Sequence, residues 1–139
     1  MKKIAVIWWS GSGNTTAMAE AVAAGAEAAG CEVEKFEVSD FEASQVEDFD
    51  GFAFGCPAMG AEELEGDEFE PVWDEACELI GDKPVCLFGS YGWGDGEWME
   101  TWKEDAEAEG INVIDTLIVN EEPDDEGVEL CNKLGAALA

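Results

Sequence analysis

Ser10-Gly11-Ser12-Gly13-Asn14-Thr15 stands between an apolar run, Ile4 to Trp8, and an amphipathic stretch that begins at Thr15. A strand, a loop of small residues and a helix N-terminus in that order aim backbone N–H groups at one point, where the helix dipole favours an anion. Ser10, Ser12, Asn14 and Thr15 add neutral side-chain donors. Such a loop can hold a phosphate without a positive charge. A Gly/Ser loop before a helix is also an ordinary strand-to-helix turn, so the rest of the chain has to decide between the two readings.

Neutral donors matter because the chain has 34 Asp and Glu against six lysines, a formal net charge of −28, and no arginine or histidine. The Arg fork that commonly clamps a phosphate is therefore absent. The hexapeptide also lacks the lysine and the spacing of G-x-x-x-x-G-K-[ST], and Thr16 occupies the third glycine position of G-x-G-x-x-G. These departures argue against a nucleotide triphosphatase and weaken a dinucleotide reading. A monophosphate suits the loop best. Without histidine, Ser-His and Cys-His nucleophilic catalysis are closed as well.

The five cysteines, Cys31, Cys56, Cys77, Cys86 and Cys131, form no C-x-x-C pair. An odd count without that spacing argues against a disulfide framework, a zinc site and a redox dithiol. Cys77 and Cys86 lie in apolar patterns and read as small core residues. Cys56 ends a strand, but no arginine follows to make a phosphatase-type loop. No metal set is expected.

The length of 139 residues and a hydrophobic content of 47% predict a single globular domain over residues 1–139. Met1-Lys2-Lys3 before Ile4 to Trp9 imitates a signal peptide, but the apolar run is short and no small-residue cleavage site follows. It reads as a first strand, and the protein is expected to be soluble and cytoplasmic. Further strands are expected over Glu32 to Val38, Gly51 to Gly55, Val85 to Phe88 and Asn112 to Val119. Their apolar runs suit parallel strands covered on both faces. Helices are expected over Thr15 to Ala29, Phe69 to Ile80, Glu97 to Glu109 and Asp124 to Ala139. Gly25, on the apolar face of the first helix, is expected to let that helix lie close to the sheet.

Strands alternating with helices imply right-handed crossovers and an open, doubly wound, five-stranded parallel α/β sheet. For the order 2-1-3-4-5, one of the two common orders, a ligand sits beyond the carboxyl ends of the strands at the switch point. The loops after strands one, three and four are then the ones to inspect. After strand three comes Cys56-Pro57-Ala58-Met59-Gly60-Ala61-Glu62, with a flexible backbone at Gly60, a polarizable Met59 and one carboxylate. After strand four comes Gly89-Ser90-Tyr91-Gly92-Trp93-Gly94-Asp95-Gly96, whose glycines would let the backbone approach a ligand while Tyr91 and Trp93 offer planar surfaces. A tryptophan alone is more often a packing residue. Between glycines at a switch point, Trp93 is placed to stack, and the two loops together suit a flat heteroaromatic ring.

Trp9-Ser10-Gly11-Ser12-Gly13-Asn14-Thr15, Gly55-Cys56-Pro57-Ala58-Met59-Gly60, Phe88-Gly89-Ser90-Tyr91-Gly92-Trp93-Gly94-Asp95-Gly96 and Ile118-Val119-Asn120-Glu121 occur here in order. In these motifs, across essentially the whole chain, the sequence resembles flavodoxins of the short-chain type, similar to those of clostridia and related anaerobic bacteria. The flavodoxin order 2-1-3-4-5 is a standard example of the doubly wound class. The resemblance implies FMN as cofactor, with Ser10, Ser12, Asn14, Thr15 and the amides of Gly11 and Gly13 on its phosphate. Segment 57–62 (Pro57, Ala58, Met59, Gly60, Ala61, Glu62) would line one side of the ring, with Met59 on one face and Trp93 on the other. It further implies that the Gly60 peptide flips to accept from the protonated N5, that Glu62 accepts from N3–H, and that the backbone around Ser90 and Gly92 meets the pyrimidine edge and ribityl chain, with Tyr91, Gly94 and Asp95 also among the cofactor-binding residues. Asn120 would lie in a further loop near the ring. Ser12 stands where the family more often has Thr, and Ala61 where many relatives carry Asp or another polar residue. The insertion that divides the fifth strand of long-chain relatives is absent between Asn112 and Val119.

The implied function is a low-potential one-electron carrier shuttling between semiquinone and hydroquinone, an electron-transfer protein rather than an enzyme. One carboxylate at about 12 Å, at an effective dielectric near 20, opposes an added negative charge by about 1.4 kcal/mol before screening. That is roughly 60 mV for a one-electron couple. Partners would be redox proteins with basic docking surfaces, reductases and low-potential acceptors, with no nucleic acid, no membrane insertion and a monomeric carrier. Two other classes share the architecture. A receiver-type signalling module needs an Asp where Cys56 stands and acidic residues where Ser10 stands, and a flavodoxin-fold NAD(P)H-dependent flavin reductase usually needs Arg or Lys in these loops.

Overall fold

The computed structural model describes residues 2–9, 13–57, 68–91, 96–120 and 123–139. Strands β1 (Lys3–Trp8), β2 (Glu32–Glu37), β3 (Gly51–Gly55), β4 (Pro84–Tyr91) and β5 (Asn112–Asn120) form one parallel sheet in the expected order β2-β1-β3-β4-β5. Helices α1 (Asn14–Ala28), α2 (Phe69–Ile80), α3 (Glu97–Ala108) and α4 (Asp125–Ala136) alternate with the strands, and two 3-10 turns, Val38–Asp40 and Ala43–Asp48, link β2 to β3.

Side-chain alternation assigns the helices to faces. Ile4, Val6 and Trp8 of β1, with Ala53 of β3 and Cys86 and Phe88 of β4, pack under α1 and α4. Ala5 and Ile7, with Phe52, Phe54, Val85 and Leu87, pack under α2 and α3. The i, i+3, i+4, i+7, i+8, i+11 spacing of Phe69, Val72, Trp73, Ala76, Cys77 and Ile80 predicts the packed face of α2; all are buried except Val72, which is half-buried against the core. Edge strand β2 instead carries Glu32, Glu34, Lys35 and Glu37 on an exposed surface, which discourages edge pairing with another chain.

Two expectations need correction. Strand β4 does not stop at Phe88: Gly89, Ser90 and Tyr91 continue it, paired with Ile118, Val119 and Asn120 of β5. Gly89 is required there because a Cβ would overlap the carbonyl of Cys56. Gly25 lies close to α4 rather than to the sheet. A Cβ on it would overlap the Asn132 carbonyl, and a Cβ on Gly135 of α4 would overlap the Val22 carbonyl of α1. The two helices thus touch backbone to backbone. Strand β5 is continuous but bulged, since Val85 pairs with Val113 and Cys86 with Asp115.

The few cations sit mostly at the amino ends of the strands. Lys2 and Lys3 open β1, Lys83 precedes β4, and Lys133 lies in the last turn of α4. Lys83 Nζ donates to Val46 O at 3.1 Å, and Lys3 Nζ lies 5.5 Å from the centre of the Phe49 ring, so both brace the 3-10 region.

Gly→Ala inside a helix ordinarily gains up to ~1 kcal/mol of propensity. Gly25→Ala should lose about 1–3 kcal/mol instead, because the overlapping atom is backbone and cannot rotate away. Urea unfolding should show a lower midpoint at unchanged slope.

Candidate functional site

The carboxyl ends of β1, β3 and β4 bring the inspected segments to one edge of the sheet, because α1 leaves β1 on one face while α2 covers the other. Trp9 N donates to Gly55 O at 3.0 Å and Cys56 N to Phe88 O at 3.0 Å, extending the ladder past the last residues of β1 and β3.

Gly13 precedes α1 with φ 92°, a left-handed conformation in which a side chain would be strained, and the space where its Cβ would lie is open. Its carbonyl accepts from Ala17 N at 3.1 Å, so the helix begins directly behind it. Trp8 Nε1 donates to Thr16 Oγ1 at 3.0 Å, which ties the last residue of β1 to the first turn of α1. The residue that breaks G-x-G-x-x-G therefore anchors the helix.

Thr15 is fully buried and Ser90 nearly so, and their hydroxyls are 3.1 Å apart across 75 residues of sequence. Two buried hydroxyls hold each other in place, one donating, at the point where α1 meets the end of β4. The sequence reading had both residues but not this link, which only the fold creates. Asn120 is also corrected: it ends β5 rather than lying in a loop, and its Nδ2 donates to Tyr91 O at 3.3 Å. Tyr91 itself leans on Trp98, with ring centres 5.7 Å apart, and Trp98 Nε1 donates to Cys56 O at 3.3 Å. Trp98, which no local pattern singles out, thus braces the carbonyl next to Pro57. Gly96 precedes α3 with φ 89° and packs on Ile118, and Gly89 packs on Cys56, so two of the glycines expected to admit a ligand serve internal packing.

Gly13, Asn14, Thr15, Pro57, Ser90, Tyr91 and Asn120 are the predicted site residues that the structure describes. Ser10, Gly11, Ser12, Ala58, Met59, Gly60, Ala61, Glu62, Gly92, Trp93, Gly94 and Asp95 lie outside the described residues. Around the crevice the described donors are hydroxyls, amides and the start of a 15-residue helix, and no lysine occurs in any of these segments. That donor set fits a phosphate monoester held by neutral hydrogen bonds and a helix terminus.

All five cysteines are buried and unbridged. Burial above all raises the thiols of Cys77 and Cys86 to about 12 and that of Cys131 to about 11. Carboxylates add to it at Cys77 (Glu109, Asp74, Glu78) and at Cys86 (Asp115). These thiols stay protonated at neutral pH and take no part in thiolate chemistry.

The family model for flavodoxin matches residues 6–135. The chain is 46% identical to a flavodoxin of Megasphaera elsdenii, over 98% of each chain, and 44% identical to one of Clostridium beijerinckii, over 96% of this chain and 97% of that one. The solution structure of the two-electron reduced Megasphaera protein superposes with a TM-score of 0.90, covering 97% of both chains. A flavodoxin from the Archaea, 27% identical, superposes at 0.89 over 99% of this chain and 96% of that one. These similarities do not favour the receiver and flavin reductase readings. The chain belongs to the flavodoxin family, electron carriers that bind FMN and are not enzymes.

Proposed function

We propose that this chain is a low-potential carrier that binds FMN at the carboxyl ends of β1, β3 and β4, and that it docks with basic redox proteins. The buried Thr15–Ser90 hydroxyl pair carries the reading. It fixes the orientation of the first turn of α1 with a neutral bond, at the place where the loop chemistry calls for neutral phosphate donors. When bound, FMN supplies one-electron steps between its reduction states.

Ser10, Ser12, Asn14 and Thr15 would hold the phosphate, with the amides of Gly11 and Gly13. Pro57 to Glu62 and Ser90 to Asp95 would border the ring, with Met59 and Trp93 on its two faces and Asn120 at its edge. Asn120 and Tyr91, joined at the ends of β5 and β4, give that border a rigid base. Carboxylates near this end, Glu37, Glu68, Glu97 and Asp124 among the described residues, oppose added negative charge in the crevice and so lower the potential. Glu62, Glu63, Glu65 and Asp95 belong to the same segments in sequence. Among the described residues no helix is long and apolar enough to cross a membrane. A monomer working in the cytoplasm completes the proposal.

Thr15→Ala should weaken FMN binding by about 1–3 kcal/mol and leave riboflavin, which lacks the phosphate, nearly unaffected. Paired calorimetric titrations of the apoprotein check this, and equal losses for both ligands would remove the phosphate role. Steered association should fall steeply with ionic strength. Stopped-flow oxidation by a small basic haem protein should slow strongly from low to high salt, and neutralising two or three of Glu62, Glu63, Glu65 and Asp95 should matter only at low salt. Flat rates throughout would reduce the acidity to a solubility feature.

A further inference from the structure

Trp9 makes two hydrogen bonds on either side of segment 58–67. Its backbone N–H donates to Gly55 O at 3.0 Å, three residues before the segment, and its indole Nε1–H donates to Glu68 Oε1 at 3.4 Å, directly after it. One residue at the exit of β1 thus holds both the end of β3 and the start of α2. Packing alone does not fix the indole. One side of Trp9 rests on the core beneath α2 and α3. The other faces a recess of about 130 Å³, bordered by Trp8, Glu37, Val38, Ser39 and Glu68. The bond to Glu68 selects the resting position.

We infer that Glu68 is a positioning residue: through Trp9 it couples the start of α2 to the β1 exit, and so sets how long the crevice retains FMN. This rests on the FMN site proposed above. The physical effect is pre-organisation. Joined through one residue, the end of β3 at Gly55 and the start of α2 at Glu68 are held in place against the β1 exit before any ligand arrives. A carboxylate is the stronger acceptor for an indole N–H, and an amide oxygen is a weaker one of the same shape. The coupling should therefore grade with the acceptor at position 68.

The test uses the full chain in apo and FMN-loaded forms, with Glu68→Gln, Glu68→Ala, Trp9→Phe and the Trp9→Phe/Glu68→Ala double variant. In apoprotein NMR, Glu68→Ala should shift the Trp9 indole proton and speed its exchange with solvent, with Glu68→Gln in between. FMN release should quicken about three- to tenfold in Glu68→Ala. Trp9→Phe should release FMN at least as fast, and adding Glu68→Ala to it should change nothing further. An indole proton indifferent to position 68 would overturn the inference whatever the FMN data. Faster release in Thr15→Ala but unchanged release in Glu68→Ala would overturn the positioning role and leave the FMN site standing. If neither Thr15→Ala nor Glu68→Ala altered release, both readings would fall.

Discussion

The hydrogen-bonded ladder between β1 and β3 is the constraint on which the rest depends. Because β1 lies between β2 and β3, the chain leaves it on one face through α1 and crosses back to β3 on the other through the two 3-10 turns, the face that α2 also covers. Right-handed crossovers allow no other arrangement for this order. Helices α1 and α2, which follow β1 and β3, therefore lie on opposite faces, and the carboxyl ends of these two strands form the switch point where sheets of this class hold their ligands. Trp8, Trp9, Gly55 and Cys56 stand at the carboxyl ends of β1 and β3, and three of the side-chain hydrogen bonds around the site use one of them. The Trp8–Thr16, Trp9–Glu68 and Trp98–Cys56 bonds are all of this kind. Indole N–H groups do the bracing that arginine forks do in less acidic proteins, since a neutral donor satisfies a carbonyl or carboxylate without drawing on the scarce cations.

Much of this was legible in the sequence wherever a pattern was local. Apolar runs marked β1 and β3, the spacing of Phe69, Trp73, Ala76, Cys77 and Ile80 marked α2 and its buried face, and the order of motifs gave the family. What was not legible depends on partners distant in sequence. Gly89-Ser90-Tyr91 has the composition of a loop, and only its pairing with β5 and the carbonyl pressing on Gly89 make it strand. Gly25 announced a close approach through its place on the apolar face, but nothing local says that the approaching backbone is α4. The 3-10 turns between β2 and β3 have no period to detect. Thr15 and Ser90 were both candidates, yet a bond across 75 residues belongs to the fold alone.

The glycine contacts and the buried hydroxyl pair have a shared consequence. Helix α1 is held by backbone contact with α4 on its flank, by Thr16 at its first turn and by Thr15 beneath, so the helix end that would face the phosphate in the proposed site is fixed independently of any ligand. A site that depends on neutral donors gains most from such fixing. Each bond is modest, and several bonds act together only when none has to be brought into place at the time of binding.

The placement of the lysines reaches beyond the crevice. Lys2, Lys3, Lys83 and Lys133 gather at the amino ends of the strands, beside Glu32, Asp50 and Asp82, whereas Glu37, Glu68, Glu97 and Asp124 stand at the opposite end with no lysine among the described residues there, so these cations are set to one end of the strand axis. In the field of a positively charged partner this distribution feels a torque. Such a partner would turn the molecule while still separated by solvent, with the proposed crevice leading.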